Sequence, residues 1–165
     1  MVVERNIAVI FKEYGTPGEL SADDREIINS AKEASQNAYA PYSGFHVGAA
    51  VRLETGEIVS GSNTENAAFP SGICAERAVL SSVNSIYPGK KVMTLAVAAR
   101  TEAGYTEDPV TPCGNCRQVM AEEELRSEMP IRLILYGERK IVVVENAGSL
   151  LPLQFNKNNL IRLHP

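Results

Sequence analysis

A chain of 165 residues with 44% apolar side chains can bury one core and is too apolar to stay disordered, so one compact domain is expected. The net charge of −4, with no basic stripe, argues against a polymeric nucleic acid as partner but leaves small neutral ligands open. Three cysteines fit a disulfide framework poorly and fit metal-binding or catalytic thiols in a reducing cytoplasm.

Glu4, Arg5, Lys12 and Glu13 interrupt the start, so no secretory leader is expected there. Ile7 to Phe11 is apolar and β-prone, and the turn formers Gly15-Thr16-Pro17-Gly18 follow. Ser21, with Asp24 three residues on, reads as a helix N-cap. Ile27, Ile28, Ala31, Ala34 and Ala38 then recur at helical spacing, and Pro41 closes the segment. Val47 to Leu53 and Glu57 to Ser60 flank Thr55-Gly56 as a β-hairpin. After a loop over Asn63 to Gly72, Ala75, Ala78, Val79 and Val83 predict a helix that begins near Cys74 and stops before Pro88. Val92 to Ala99 reads as a buried strand, its run Leu95 to Ala99 far too short to span a membrane. A loop over Thr101 to Thr111 leads to a helix from about Gly114 to Ser127, then strands Ile131 to Tyr136 and Ile141 to Glu145. The link Gly137 to Lys140 is too short for a parallel crossover, so these last strands should be antiparallel. This order predicts α/β architecture, with helices on both faces of a mixed sheet.

Cys74-Ala75-Glu76 opens one predicted helix and Pro112-Cys113-Gly114-Asn115-Cys116 opens another. Either half alone is weak, since a single cysteine is commonly an inert core residue and a lone CxxC serves redox or structural zinc equally well. Together, Cys74, Cys113 and Cys116 make three thiolate ligands with a fourth position left open, the pattern of a catalytic zinc site. His46 and His164 are the only histidines, and neither is placed to be a ligand. Helix N-termini favour thiolate over thiol through their unpaired amides. Three thiolates against Zn²⁺ leave a formal −1, which Arg77 could offset by hydrogen bonding to a ligand sulfur. Zinc makes a bound water acidic, and Glu76, near the metal without being a ligand, is the candidate general base and acid.

Cys-Ala-Glu followed by Pro-Cys-x-x-Cys is the zinc-deaminase pattern with cysteine in every ligand position. The blocks Ala40-Pro41-Tyr42-Ser43-Gly44-Phe45-His46-Val47-Gly48-Ala49-Ala50, Gly61-Ser62-Asn63-Thr64-Glu65-Asn66-Ala67, Gly72-Ile73-Cys74-Ala75-Glu76-Arg77 and Pro112-Cys113-Gly114-Asn115-Cys116-Arg117-Gln118 resemble the small, homotetrameric cytidine deaminases. The resemblance covers roughly residues 25 to 155. It implies a three-layer α/β fold with a mixed five-stranded sheet, one zinc per chain, and hydrolytic deamination of cytidine and deoxycytidine. It also implies that Asn63 and Glu65 hydrogen-bond the ribose, that Phe45 packs on the substrate, and that the Ala75 backbone faces the pyrimidine edge. The Thr111 carbonyl would lie near the leaving amine. Leu150 to Phe155 resembles a C-terminal lid whose Phe155 reaches a neighbouring subunit. Residues 21 to 165 are read as the catalytic domain, and residues 1 to 20 as an N-terminal arm of unassigned role. The competing readings are a deaminase for another cytosine-bearing nucleoside and a non-catalytic structural zinc module.

Overall fold

The computed structural model describes residues 1–160, so His164 lies outside the described residues. Helix α1 spans Ala22–Gln36, and its start is set by the Ser21 hydroxyl, which accepts the Asp24 N–H at 3.1 Å. Asp23 and Asp24 place negative charge at the positive end of the helix. Strands β2 (His46–Leu53) and β3 (Ile58–Ser62) form the hairpin, whose turn holds Gly56 at a φ of 97°, a conformation that favours glycine. Helix α2 (Ala75–Ile86) leads to strand β4 (Val92–Thr101), and helix α3 (Gly114–Ser127) to strands β6 (Arg132–Tyr136) and β7 (Ile141–Val144). Two short strands, β1 (Lys12–Tyr14) and β5 (Gly104–Tyr105), and a four-residue helix α4 (Lys157–Leu160) complete the described chain.

The sheet runs β1-β7-β6-β4-β2-β3, with β5 paired to β4. β4 and β6, joined through α3, are parallel, and the remaining pairs are antiparallel. Both faces are covered. On one, Ile27, Ile28 and Ala31 of α1 pack on Ala50, Ala96, Ala98 and Ile134. On the other, Val79, Leu80 and Met120 of α2 and α3 pack on Val51, Leu53, Leu95, Leu133 and Leu135. Alternate residues of β4 therefore enter opposite cores, which is why its sequence is a continuous apolar run.

The small residues on the α1 side let that helix sit close to the sheet. A Cβ on Gly48 would lie 2.0 Å from the Ala31 carbonyl oxygen and 2.4 Å from the Ser35 nitrogen, both backbone atoms. Gly48→Ala must push α1 away from β2, and overpacking of this kind costs about 1–3 kcal/mol. A lower urea midpoint at unchanged slope is the expected result. An unchanged midpoint would contradict the close approach.

Two expectations are corrected. The sheet has seven strands instead of five, because β1 and β5, three and two residues long, are too short to show strand periodicity. The strand expected at Ile7 to Phe11 is absent, and the chain pairs instead at Lys12–Tyr14, against Ile141–Val143 of β7. Leu20 is buried with Ile27, and Tyr14 packs on the same cluster.

Candidate metal centre and active site

Cys74 is the N-cap of α2 and Cys113 the N-cap of α3, while Cys116 lies in the first turn of α3. Neither capping cysteine makes a side-chain cap hydrogen bond, so the first-turn amides of both helices remain as positive potential around the sulfurs. The Sγ atoms are 3.9 Å apart between Cys74 and Cys113 and 3.5 Å between Cys113 and Cys116, and all three lie within 4.8 Å of one another. Tetrahedral zinc with sulfur at ~2.3 Å places its sulfurs about 3.8 Å apart, so the trio fits that ion with little movement.

The three thiols are held differently. Burial pushes the Cys116 thiol up, helped by the nearby Glu76 carboxylate, and burial also raises Cys74. Partial burial pushes Cys113 up as well, but the Cys116 amide, the Cys116 and Cys74 thiols and the Asn115 amide together bring it below its ordinary value. Cys116 is buried beneath the site, whereas Cys74 and Cys113 face a cavity of about 460 Å³.

That cavity supplies the open side of the metal centre. At its buried end are Cys74, Ala75 and Glu76, and Phe45, Val47, Val97, Val110 and Thr111 form largely apolar walls. Glu76 is only 5% exposed. Burial raises its carboxyl above the usual range, opposed by its own backbone N–H and by the Cys116 thiol. A carboxyl so placed beside the sulfurs can hold a proton and pass it on. Among the described residues no lysine or arginine lines the cavity.

Near the outer end, Asn63 and Glu65 grip the loop that follows α1. The Asn63 Oδ1 accepts the Val47 N–H at 2.7 Å and its Nδ2 donates to the Phe45 carbonyl at 3.0 Å. Glu65 Oε2 accepts the amides of Tyr42 at 2.8 Å and Ser43 at 3.2 Å, and Oε1 accepts the Ser43 hydroxyl at 2.5 Å. The Ser43 hydroxyl bond, followed by the Tyr42 amide, holds the Glu65 carboxyl below its usual range, so it carries a negative charge. Tyr42 and Phe69 meet edge to face at 5.8 Å beside it.

The structure thus gathers Cys74, Ala75, Glu76, Cys113, Phe45, Asn63, Glu65 and Thr111 at one cavity, with Cys116 beneath. Two other expected residues lie elsewhere. Arg77 makes no hydrogen bond to a cysteine sulfur among the described residues, and it lines a shallow groove with Ser81, Asn84 and Val119. Phe155 is 60% exposed and is not a wall of this chain's cavity; its carbonyl accepts the Gln118 side-chain amide at 2.8 Å. Among the described residues no histidine joins the sulfur cluster. Tyr42, Phe69, Val97 and Val110 were not singled out from the sequence. Tyr42 sits three residues before Phe45 in a quoted block, and the others reach the cavity only through the fold.

Residues 21–129 match the family model described as the cytidine and deoxycytidylate deaminase zinc-binding region. A cytidine deaminase of Sporosarcina psychrophila is 40% identical over 140 residues, covering 84% of this chain and 95% of the relative. The crystal structure of a cytidine deaminase from Burkholderia pseudomallei matches with a TM-score of 0.68 at 38% identity, covering 79% of this chain and 97% of that one. A cytidine deaminase structure from Mycobacterium tuberculosis matches with a TM-score of 0.65 at 31% identity, covering 82% and 99%.

Proposed function

The chain belongs to the cytidine and deoxycytidylate deaminase family, and we propose that it hydrolyses cytidine and deoxycytidine to uridine and deoxyuridine with release of ammonia. The observation that carries this reading is the coincidence of three zinc-spaced sulfurs, a buried carboxyl and a cavity of about 460 Å³ whose apolar walls run between Glu76 at the buried end and Glu65 near the outer one. Cys74, Cys113 and Cys116 hold one zinc, which when bound supplies Lewis-acid activation of a water molecule near neutral pH.

This chain's residues do the rest. Glu76 takes a proton from the attacking water and delivers it to N3 of the pyrimidine, then takes a second from the hydroxyl now on C4 and hands it to the amine, so that C4 becomes a carbonyl and ammonia leaves. Phe45, Val97 and Val110 desolvate the ring. The Ala75 backbone faces the pyrimidine edge, and the Thr111 carbonyl lies toward the leaving amine. The N-termini of α2 and α3 oppose the charge of the third thiolate, and Arg77, three residues beyond Cys74 on α2, adds its positive charge to theirs. Glu65 accepts a sugar hydroxyl, and Asn63 offers the N–H that its backbone contacts leave over. An ionised Glu65, with no lysine or arginine lining the cavity among the described residues, favours a neutral nucleoside over its 5′-phosphate.

Glu65→Gln tests the sugar contact. A hydrogen bond to a charged group lost from the complex lowers kcat/KM for cytidine roughly 10- to 150-fold. Turnover of free cytosine, which has no sugar to lose, should barely change, and an equal loss on both substrates would assign Glu65 to the fold.

The proposal extends to a homotetramer in the cytoplasm, supported by exposed Leu153 and Phe155, apolar residues suited to a neighbouring subunit's cavity. Sedimentation equilibrium should give the mass of four chains, and a monomer mass would remove the shared lid. Cell fractionation checks the compartment.

A further inference from the structure

Ser43 belongs to none of the functional groups assigned above, yet it connects two of them. Its hydroxyl donates to Glu65 Oε1 at 2.5 Å and accepts the Phe45 N–H at 3.0 Å, while its own amide donates to Glu65 Oε2 at 3.2 Å. The Tyr42 amide is the third donor to this carboxylate. A carboxylate has about four acceptor positions, two on each oxygen. Two on Oε2 and one on Oε1 are taken before any ligand arrives, which leaves one, on Oε1, for a substrate hydroxyl. A carboxylate oriented in this way is ready to accept a single hydroxyl without first being immobilised.

We propose that Ser43 is a positioning residue for substrate selection: its hydroxyl fixes Glu65 so that one acceptor site faces the sugar, and ties that orientation to the Phe45 backbone. This rests on the reading of Glu65 as the sugar acceptor. Ser43 is exposed, so its loss leaves no core void and an extra methyl there has room.

The test uses zinc-loaded full-length protein, with cytidine and 2′,3′-dideoxycytidine as substrates. Removing one hydrogen bond from the positioning set in Ser43→Ala should raise KM for cytidine roughly 3- to 10-fold, with kcat nearly unchanged. KM for dideoxycytidine, which lacks the hydroxyl in question, should not move, and Ser43→Thr should restore the parent KM. Should Ser43→Ala fail to fold, Ser43→Cys, a weaker donor of similar shape, carries the same comparison. A parent KM for cytidine in Ser43→Ala, alongside a raised KM in Glu65→Gln, overturns the role of Ser43 alone. An equal rise on both substrates also overturns it, since the effect would then be a general distortion of the loop. If Glu65→Gln itself leaves the cytidine KM unchanged, the sugar reading of Glu65 fails first.

Discussion

Glu76→Gln is expected to keep the fold and one zinc per chain while losing nearly all turnover. Glutamine matches glutamate in size, so the buried site, where Glu76 is 5% exposed, is not emptied. Burial holds the native carboxyl above its usual range, which eases its neutral form between accepting and delivering a proton. An amide in that place cannot accept the water proton. General acid–base catalysis is worth roughly 10²- to 10⁴-fold, and Glu76 acts on the water, the ring nitrogen and the leaving amine in turn, so the loss should lie at or beyond the upper end. Substrate binding should change much less than kcat. The check pairs metal analysis with steady-state kinetics, and a fully metallated variant with most of its activity would mean that another group moves the protons.

Alanine at Cys74, Cys113 or Cys116 should have an effect of similar size by another route. Two thiolates rarely hold zinc against chelators, so each variant should purify with little metal and no more than background deamination. The three positions differ in what else they disturb. Cys116 is fully buried against the larger core, so its alanine variant also leaves a small void and should lower thermal stability of the metal-free protein. Cys113 is exposed, and its replacement should cost metal with little effect on the metal-free fold. Retention of one zinc per chain in any of the three variants would remove that residue from the ligand set.

Much of this site was legible in the chain because its chemistry is local. The ligands come from two helix starts, and Pro88 and the apolar spacing mark the first of these helices well enough to place Cys74 at its start, as Gly114 does for Cys113 at the second. Glu76 follows Cys74 on the same turn, so its nearness to the metal needs no tertiary information. The five core strands were legible too, from runs such as Val92 to Ala99 that alternate between two cores. Lys12–Tyr14 and Gly104–Tyr105 were not, because so few residues carry no period and their pairing is decided by their neighbours in the sheet. The grip of Ser43 on Glu65 spans 22 residues and exists only once the loop after α1 lies against the segment after β3.

The central claim is that the sulfur trio holds a working metal, and ammonia release from cytidine by the full-length protein tests it most directly. Zinc content is measured on the same sample before chelation, after it and after readdition of zinc. The account predicts one zinc per chain, conversion of cytidine to uridine, loss of that activity with the metal, and its return with zinc. One tightly held zinc per chain with no turnover of cytidine, deoxycytidine or any other cytosine nucleoside would contradict it and leave a structural zinc module in its place.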